Sequence, residues 1–207
     1  MRNAPVSLPV LAALAKPYVE THLIGRVWVG VAIAAGLIEL AGAGRLRPEA
    51  TKRDRGSRVF LRVCEIAGIA LLLLSPRIAP AAEIRPPLAS VVAGIVIFSA
   101  GEGLRVWAKA ALGRYFTYTV QTSGDQPVIT SGPYRVLRHP SYTGILLIAI
   151  GAGAVWGNWL GLGALALMTL IGLVYRIYVE EQALLEELGD RYRAYAEQHK
   201  RLVPFVW

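Results

Sequence analysis

Apolar residues along this chain gather into five long runs separated by polar stretches. Each run approaches the roughly 20 residues that a helix rising 1.5 Å per residue needs to cross about 30 Å of hydrocarbon. The pattern predicts spans at Leu23–Ala43, Val59–Ser75, Leu88–Ala111, Tyr142–Trp156 and Trp159–Tyr178, with Glu102 and Arg105 in the later part of the third. Only Gly157 and Asn158 separate the last two, which predicts a tight antiparallel helical hairpin. Gly151, Gly153, Gly157, Gly161 and Gly163 cluster around that turn. Small residues let helix backbones approach closely, so the hairpin is expected to be well packed. The expected fold class is all-α, an integral membrane helical bundle with about five transmembrane helices. It forms a single membrane domain over 1–207, in which 1–87 holds the N-terminal helices and a basic loop. A short apolar run at Leu8–Ala15, interrupted by Pro9, is read as an amphipathic lead-in.

Composition agrees with lipid as the solvent. Of the 207 residues 55% are apolar, and the mean hydropathy is +0.46. A single cysteine, Cys64, and three scattered histidines give neither a disulfide framework nor metal-ligand spacing, so no metal is expected. The net charge of +8 sits between apolar runs instead of along a stripe with stacking aromatics, which points to membrane lipid headgroups and away from nucleic acid. Basic loops tend to stay in the cytoplasm. The loop after the first span carries Arg45, Arg47, Lys52, Arg53, Arg55 and Arg58, whereas the loop after the second carries only Arg77 and Arg85. Alternation then puts the segment between spans three and four, and the tail after span five, on the same cytoplasmic side.

That segment, YFTYTVQTSGDQPVITSGPYRVLRHPSY from Tyr115 to Tyr142, is polar, rich in turn signals and leads into span four. Pro140 suits the first turn of a helix, where its missing N–H costs nothing, and His139 then lies near the cap. A helix start can hold an anionic group. Tyr134 and Tyr142 offer flat faces for a stacked ring. The plain alternative is that the aromatic and basic residues are interfacial anchors. Span five is expected to continue as a helix past the lipid. Arg176 and Glu180 share one face at i,i+4 while Glu181 points elsewhere. Taken alone, that pair reads as an ordinary ion pair with Arg176 snorkelling to the headgroups. Glu186, Glu187, Arg191 and Arg193 form a solvated face. Leu184, Leu188, Tyr192 and Tyr195 form a packed one, and Gly189 marks a local break.

GPYRVLRHPSYTG (Gly132 to Gly144), then R-x-x-x-E-E-x-x-L about 30 residues later, then G-D-x-Y-x-x-Y and a terminal V-P-F, together resemble the isoprenylcysteine carboxyl methyltransferase family. The resemblance covers roughly Gly101 to Trp207 and makes 88–207 the catalytic half. It implies an S-adenosylmethionine-dependent enzyme acting on a lipophilic or prenylated acceptor. By resemblance, Gln121, Gln126, Pro127, Val128, Ile129, Tyr134, His139, Pro140, Ser141 and Tyr142 contact the cosubstrate. Glu180 binds the cosubstrate and Arg176 the methyl acceptor, and these two are the expected catalytic residues.

A carboxylate acceptor is already ionised near neutral pH, so transfer from a sulfonium needs alignment and desolvation and no general base. A guanidinium fork such as that of Arg176 orients a carboxylate, whereas an amine acceptor would have to lose a proton beside two cations. No strand followed by a G-x-G loop occurs, which disfavours a soluble dinucleotide-type methyltransferase fold. Three other readings stay open at this point: N- or S-methylation of a phospholipid or small molecule, an NADPH-dependent sterol-type reductase, and a non-enzymatic membrane scaffold.

Overall fold

The computed structural model describes residues 51–52, 54–116, 121–122, 127–203 and 207, so the lead-in and the span expected at Leu23–Ala43 lie outside the described residues. Four of the five expected spans are helices: α1 (Ser57–Ile78), α2 (Pro87–Leu112), α3 (Pro140–Trp156) and α4 (Trp159–Leu188). A short α5 (Asp190–Gln198) follows. Three of them, α1, α2 and α4, have the length and apolarity to cross a membrane, and α3 is a shorter apolar helix. The protein is an all-α, multi-pass integral membrane bundle. One β pair accompanies it, with Thr51–Lys52 (β1) antiparallel to Gln121–Thr122 (β2), Lys52 facing Gln121. Two residues per strand are too few to show as an alternating pattern in sequence.

The helices are lined on the inside by small side chains and on the outside by large apolar ones. Buried positions on α1 are Ser57, Leu61, Cys64, Gly68, Leu72 and Ser75, and on α2 Ser90, Gly94, Gly101 and Ala108. Val59 and Val96, by contrast, are 67% and 62% exposed. In lipid an outward valine costs nothing, and close backbone approach becomes the main source of cohesion. The α2–α3 seam shows this directly, because Gly94 and Gly101 meet Gly151 and Gly144 across an antiparallel contact. A Cβ on Gly151 would stand 2.6 Å from the Gly94 carbonyl oxygen, and one on Gly101 2.7 Å from that of Gly144. Ser90 adds a hydroxyl bond to the Ala154 carbonyl at 2.5 Å.

The α3–α4 hairpin forms as expected. Gly157 supplies the left-handed turn at φ 81°, and the Asn158 side chain caps α4 by accepting from Gly161 N at 3.2 Å. Its packing differs from expectation. α3 and α4 touch each other less than α3 touches α2 or α4 touches α1. Gly151 serves the α2 seam, and Gly161 lies against Leu72 and Ser75 of α1. Only Gly153 lies tightly against the hairpin partner, at Leu162. The small residues near the turn let each arm nest against an earlier helix.

This arrangement gives the bundle two unlike ends. At one, the Gly157 turn is tied to the α1–α2 connection by Ile84 N to Gly157 O (2.9 Å) and Asn158 Nδ2 to Ala79 O (2.9 Å). The other end gathers the start of α1, the end of α2, the start of α3, the charged section of α4 and the C-terminal tail.

Candidate active site

The polar end is built around the first turn of α3. Pro140 is its first helical residue and His139 its N-cap, as the sequence pattern predicts. The preceding 3-10 turn, Gly132–Arg135, is positioned from both sides. Gly132, at φ 59°, lies against Trp107 and Ala111 of α2. Tyr195 of α5 donates its hydroxyl to the carbonyls of Tyr134 (2.8 Å) and Leu137 (3.2 Å). The Tyr134 side chain is buried, and that burial pushes its hydroxyl pKa above the ordinary tyrosine value. Tyr195 is likewise buried and likewise raised.

Tyr142, Arg176 and Glu180 converge. The Tyr142 hydroxyl accepts from Arg176 Nε at 2.8 Å and donates to Glu180 Oε2, so one oxygen joins the two charged side chains. Arg176 is only 4% exposed, which excludes snorkelling to the headgroups. Its Nη1 instead reaches Asp54 Oδ1 (3.2 Å) and Ser57 Oγ (3.3 Å). Asp54 in turn opens α1, accepting from Arg58 N through Oδ2 at 3.2 Å and from the Ser57 hydroxyl through Oδ1 at 3.2 Å. A buried guanidinium is tolerable only when paired in this way.

His139 turns to Glu181, the neighbour of Glu180. The imidazole Nε2 lies 3.2 Å from Glu181 Oε1, and the same oxygen accepts from Arg138 Nη1 at 2.8 Å. Oε2 takes Arg201 Nε at 3.0 Å and Nη2 at 2.8 Å. The His139 ring stacks on Tyr142 with centroids 5.5 Å apart and planes 9° apart, which links the two clusters. Among the described residues they bring together three guanidinium groups, of Arg138, Arg176 and Arg201, and three carboxylates, of Asp54, Glu180 and Glu181.

The other expected residues are distributed around this centre. Pro140 and Ser141 are buried in the first turn. Val128 is half-buried and packs on Leu188, Tyr192 and Tyr195, while Ile129 is half-buried and Pro127 exposed. Gln121 is described through its backbone pairing with Lys52, and Gln126 lies outside the described residues. Tyr192 and Tyr195 pack as expected, and Gly189 breaks the helix between α4 and α5. The Tyr192 hydroxyl is buried without a hydrogen-bond partner among the described residues. Among the described residues no group of histidine, cysteine and acidic side chains could hold a metal. Outside the cluster, an open groove of about 900 Å³ lies between α1 and α4, lined by Phe60, Leu170, Ile171, Val174 and Tyr178, with Arg55 as its charged residue.

The sequence reading missed Asp54, Ser57 and the partners of Glu181. For the first two a signal existed, since Asp54-x-x-Ser57 directly before an apolar run is a helix-start pattern. Nothing local announces that Arg201 meets Glu181.

Comparison with known proteins bears on the same elements. The model of the isoprenylcysteine carboxyl methyltransferase family matches residues 92–186. Protein-S-isoprenylcysteine O-methyltransferase A of Arabidopsis thaliana is 33% identical over 115 residues, covering 55% of this chain and 58% of that protein. The Tribolium castaneum protein-S-isoprenylcysteine O-methyltransferase is 35% identical over 115 residues, covering 55% of this chain and 41% of the relative. A solved structure of the eukaryotic intramembrane Ras methyltransferase, isoprenylcysteine carboxyl methyltransferase, superposes with a TM-score of 0.59 at 28% identity, over 70% of this chain and 52% of that one. The chain therefore spans roughly 40–60% of the length of these relatives. From α2 to the charged turn of α4, the resemblance read from the RHPSY and R-x-x-x-E-E motifs is a match to the isoprenylcysteine carboxyl methyltransferase family.

Proposed function

We propose that this protein is an S-adenosylmethionine-dependent methyltransferase that esterifies the carboxylate of a lipophilic, isoprenylcysteine-like acid at the cytoplasmic face of the membrane. The observation that carries the reading is the Tyr142 hydroxyl standing between Arg176 and Glu180, on the section of chain that matches the family. It puts a cation suited to a carboxylate beside an anion suited to ammonium or ribose hydroxyls, at the boundary between the apolar and polar parts of α4.

The described residues fit such a cosubstrate. Glu180 is an acceptor-only group facing a polar cluster, and the first turn of α3 beside it is closed by aromatic rings. His139, Pro140, Ser141, Tyr142 and Tyr134 would form one wall, with Pro127, Val128 and Ile129 as the strip leading to it; Gln121 and Gln126 are assigned to the cosubstrate by the family resemblance alone. When bound, the cosubstrate supplies a methyl group, whose bond to sulfur breaks as its bond to the acceptor oxygen forms.

The work left to the protein is orientation and exclusion of water, which can lower a barrier by roughly 7 to 11 kcal/mol. Arg176 is fixed before any acceptor arrives, because Asp54, Ser57 and Tyr142 hold its guanidinium. That partial neutralisation suits its task, since a free guanidinium would grip the incoming carboxylate and blunt it as a nucleophile. Asp54 brings the N-terminal half into the machinery that 88–207 otherwise supplies. The α1–α4 groove gives an apolar tail a place to lie, with Tyr175, the neighbour of Arg176, donating to the Arg55 carbonyl at 3.3 Å. Arg55, Arg58 and Arg138 at this end of the bundle support the cytoplasmic orientation.

The test is turnover by detergent-purified protein with labelled S-adenosylmethionine across a panel of acceptors. A base-labile methyl ester on a prenylcysteine analogue supports the reading. Methylation confined to phospholipid amines or small thiols would replace the acceptor.

A further inference from the structure

Glu180 and Glu181 are adjacent but about 100° apart around the helix, and they hold different things. Glu181 is 6% exposed and its two oxygens join three separate parts of the chain. These are α4 itself, the turn before α3 through Arg138 and His139, and the C-terminal tail through Arg201. The tail lies across that same turn. Arg138 N donates to Lys200 O at 2.7 Å, His139 N to Arg201 O at 3.1 Å, and Thr143 Oγ1 to Leu202 O at 2.8 Å. Leu202 is buried at 1% exposure, and the Arg201 guanidinium also lies over the Trp207 ring at 5.4 Å.

We propose that Glu181 is a positioning residue for cosubstrate binding. Its carboxylate locks the tail onto the Arg138–His139 turn and thereby fixes the His139–Tyr142 ring stack against Glu180. The inference rests on the reading of this site as a binder of S-adenosylmethionine. Two features separate it from a general contribution to stability. The carboxylate lies one ring stack away from the Tyr142 hydroxyl that bonds Glu180, so its loss displaces the binding wall before it disturbs the α1–α4 or α2–α3 seams. Arg201 is part-exposed, held through two bonds to Glu181 Oε2, and so can be removed with little effect on the buried bundle.

Calorimetric titration with S-adenosylmethionine, together with kinetics, tests this on the full chain carrying Glu181→Gln, Arg201→Gln, or both. Outer groups that orient a ligand-binding side chain are worth about 10- to 100-fold in affinity at the metal sites where this is best measured. Glu181→Gln should accordingly weaken binding by about tenfold or more, raise KM for the cosubstrate in parallel, and leave kcat at saturation within about threefold. Arg201→Gln should weaken binding less, and the double variant should be no worse than Glu181→Gln, because Arg201 acts through that carboxylate. If Glu181→Gln fails to fold, Arg201→Gln decides alone, by a weakened affinity with kcat kept. Wild-type affinity in a folded variant, a collapse of kcat at unchanged affinity, or additive losses in the double variant would overturn the inference while leaving the methyltransferase reading intact. No binding by the wild-type protein would remove both.

Discussion

Replacing Tyr142 by phenylalanine removes one oxygen and nothing else, yet that oxygen bonds both Arg176 and Glu180. A hydrogen bond to a charged group contributes about 1.5 to 3 kcal/mol, so the two bonds set an upper limit of roughly 3 to 6 kcal/mol. Much of that is recovered. Arg176 keeps Asp54 and Ser57, and Glu180 is only part-buried, so water can replace the lost donor. A net loss of about 2 kcal/mol remains, which corresponds to roughly thirty-fold in an equilibrium or rate ratio. The loss should fall on kcat/KM, because the two side chains that hold the reactants must then be ordered during binding. The assay is methyl transfer to a prenylcysteine analogue by the purified variant, with helix content by circular dichroism as the control for folding. A Tyr142→Phe protein that stays folded and turns over within about threefold of wild type would refute the claim that this hydroxyl organises the site.

Arg176→Ala and Glu180→Ala should each abolish transfer in a folded, detergent-soluble protein, with Glu180→Ala also weakening cosubstrate binding in calorimetry. Asp54→Asn keeps the shape but removes the buried charge opposite Arg176. Leaving that cation short of its partner should lower the unfolding free energy by about 2 to 4 kcal/mol, read from thermal unfolding in detergent. Gly151→Leu forces side-chain atoms into the Gly94 and Phe98 backbone and should separate α2 from α3. The expected outcome is loss of monodisperse protein, with Gly163→Leu, where a Cβ would meet nothing within 4 Å, as the tolerated counterpart. Tyr192→Phe removes a buried hydroxyl that has no partner among the described residues and should leave thermal stability unchanged or raise it by up to about 1 kcal/mol.

The elements that lipid dictates were legible in the sequence. Span length and apolarity gave α1, α2 and α3 to within a few residues of their apolar runs, and α4 starts at Trp159 as expected and continues past Tyr178 to Leu188, the extension beyond the lipid that its charged section announces. Pro140, Gly157 and Gly189 marked their turns because each does one thing to a backbone that other residues do badly. Partner choice was harder. The glycines near the hairpin turn announce a close approach, but periodicity says which face is small and not which neighbour it meets. The matching seven-residue spacing of Gly94 and Gly101 with Gly144 and Gly151 was the available clue. Arg176, taken alone, read as a snorkelling ion-pair member, and only burial together with Asp54 changes that. Glu181 was read as pointing away from the site, which is true of its direction relative to Glu180. His139 and Arg201 lie 42 and 20 residues distant along the chain, and Arg138 is the neighbour of His139, so nothing in local spacing could find these partners.

The central claim is that the polar end of this bundle holds S-adenosylmethionine beside a lipophilic carboxylate. Calorimetric titration of the purified protein with S-adenosylmethionine, followed in the same preparation by turnover on a prenylcysteine analogue, tests it most directly. The account predicts saturable one-site binding that Glu180→Ala weakens, and a methyl ester as product. Absence of binding, or binding that Glu180→Ala leaves untouched, would contradict it.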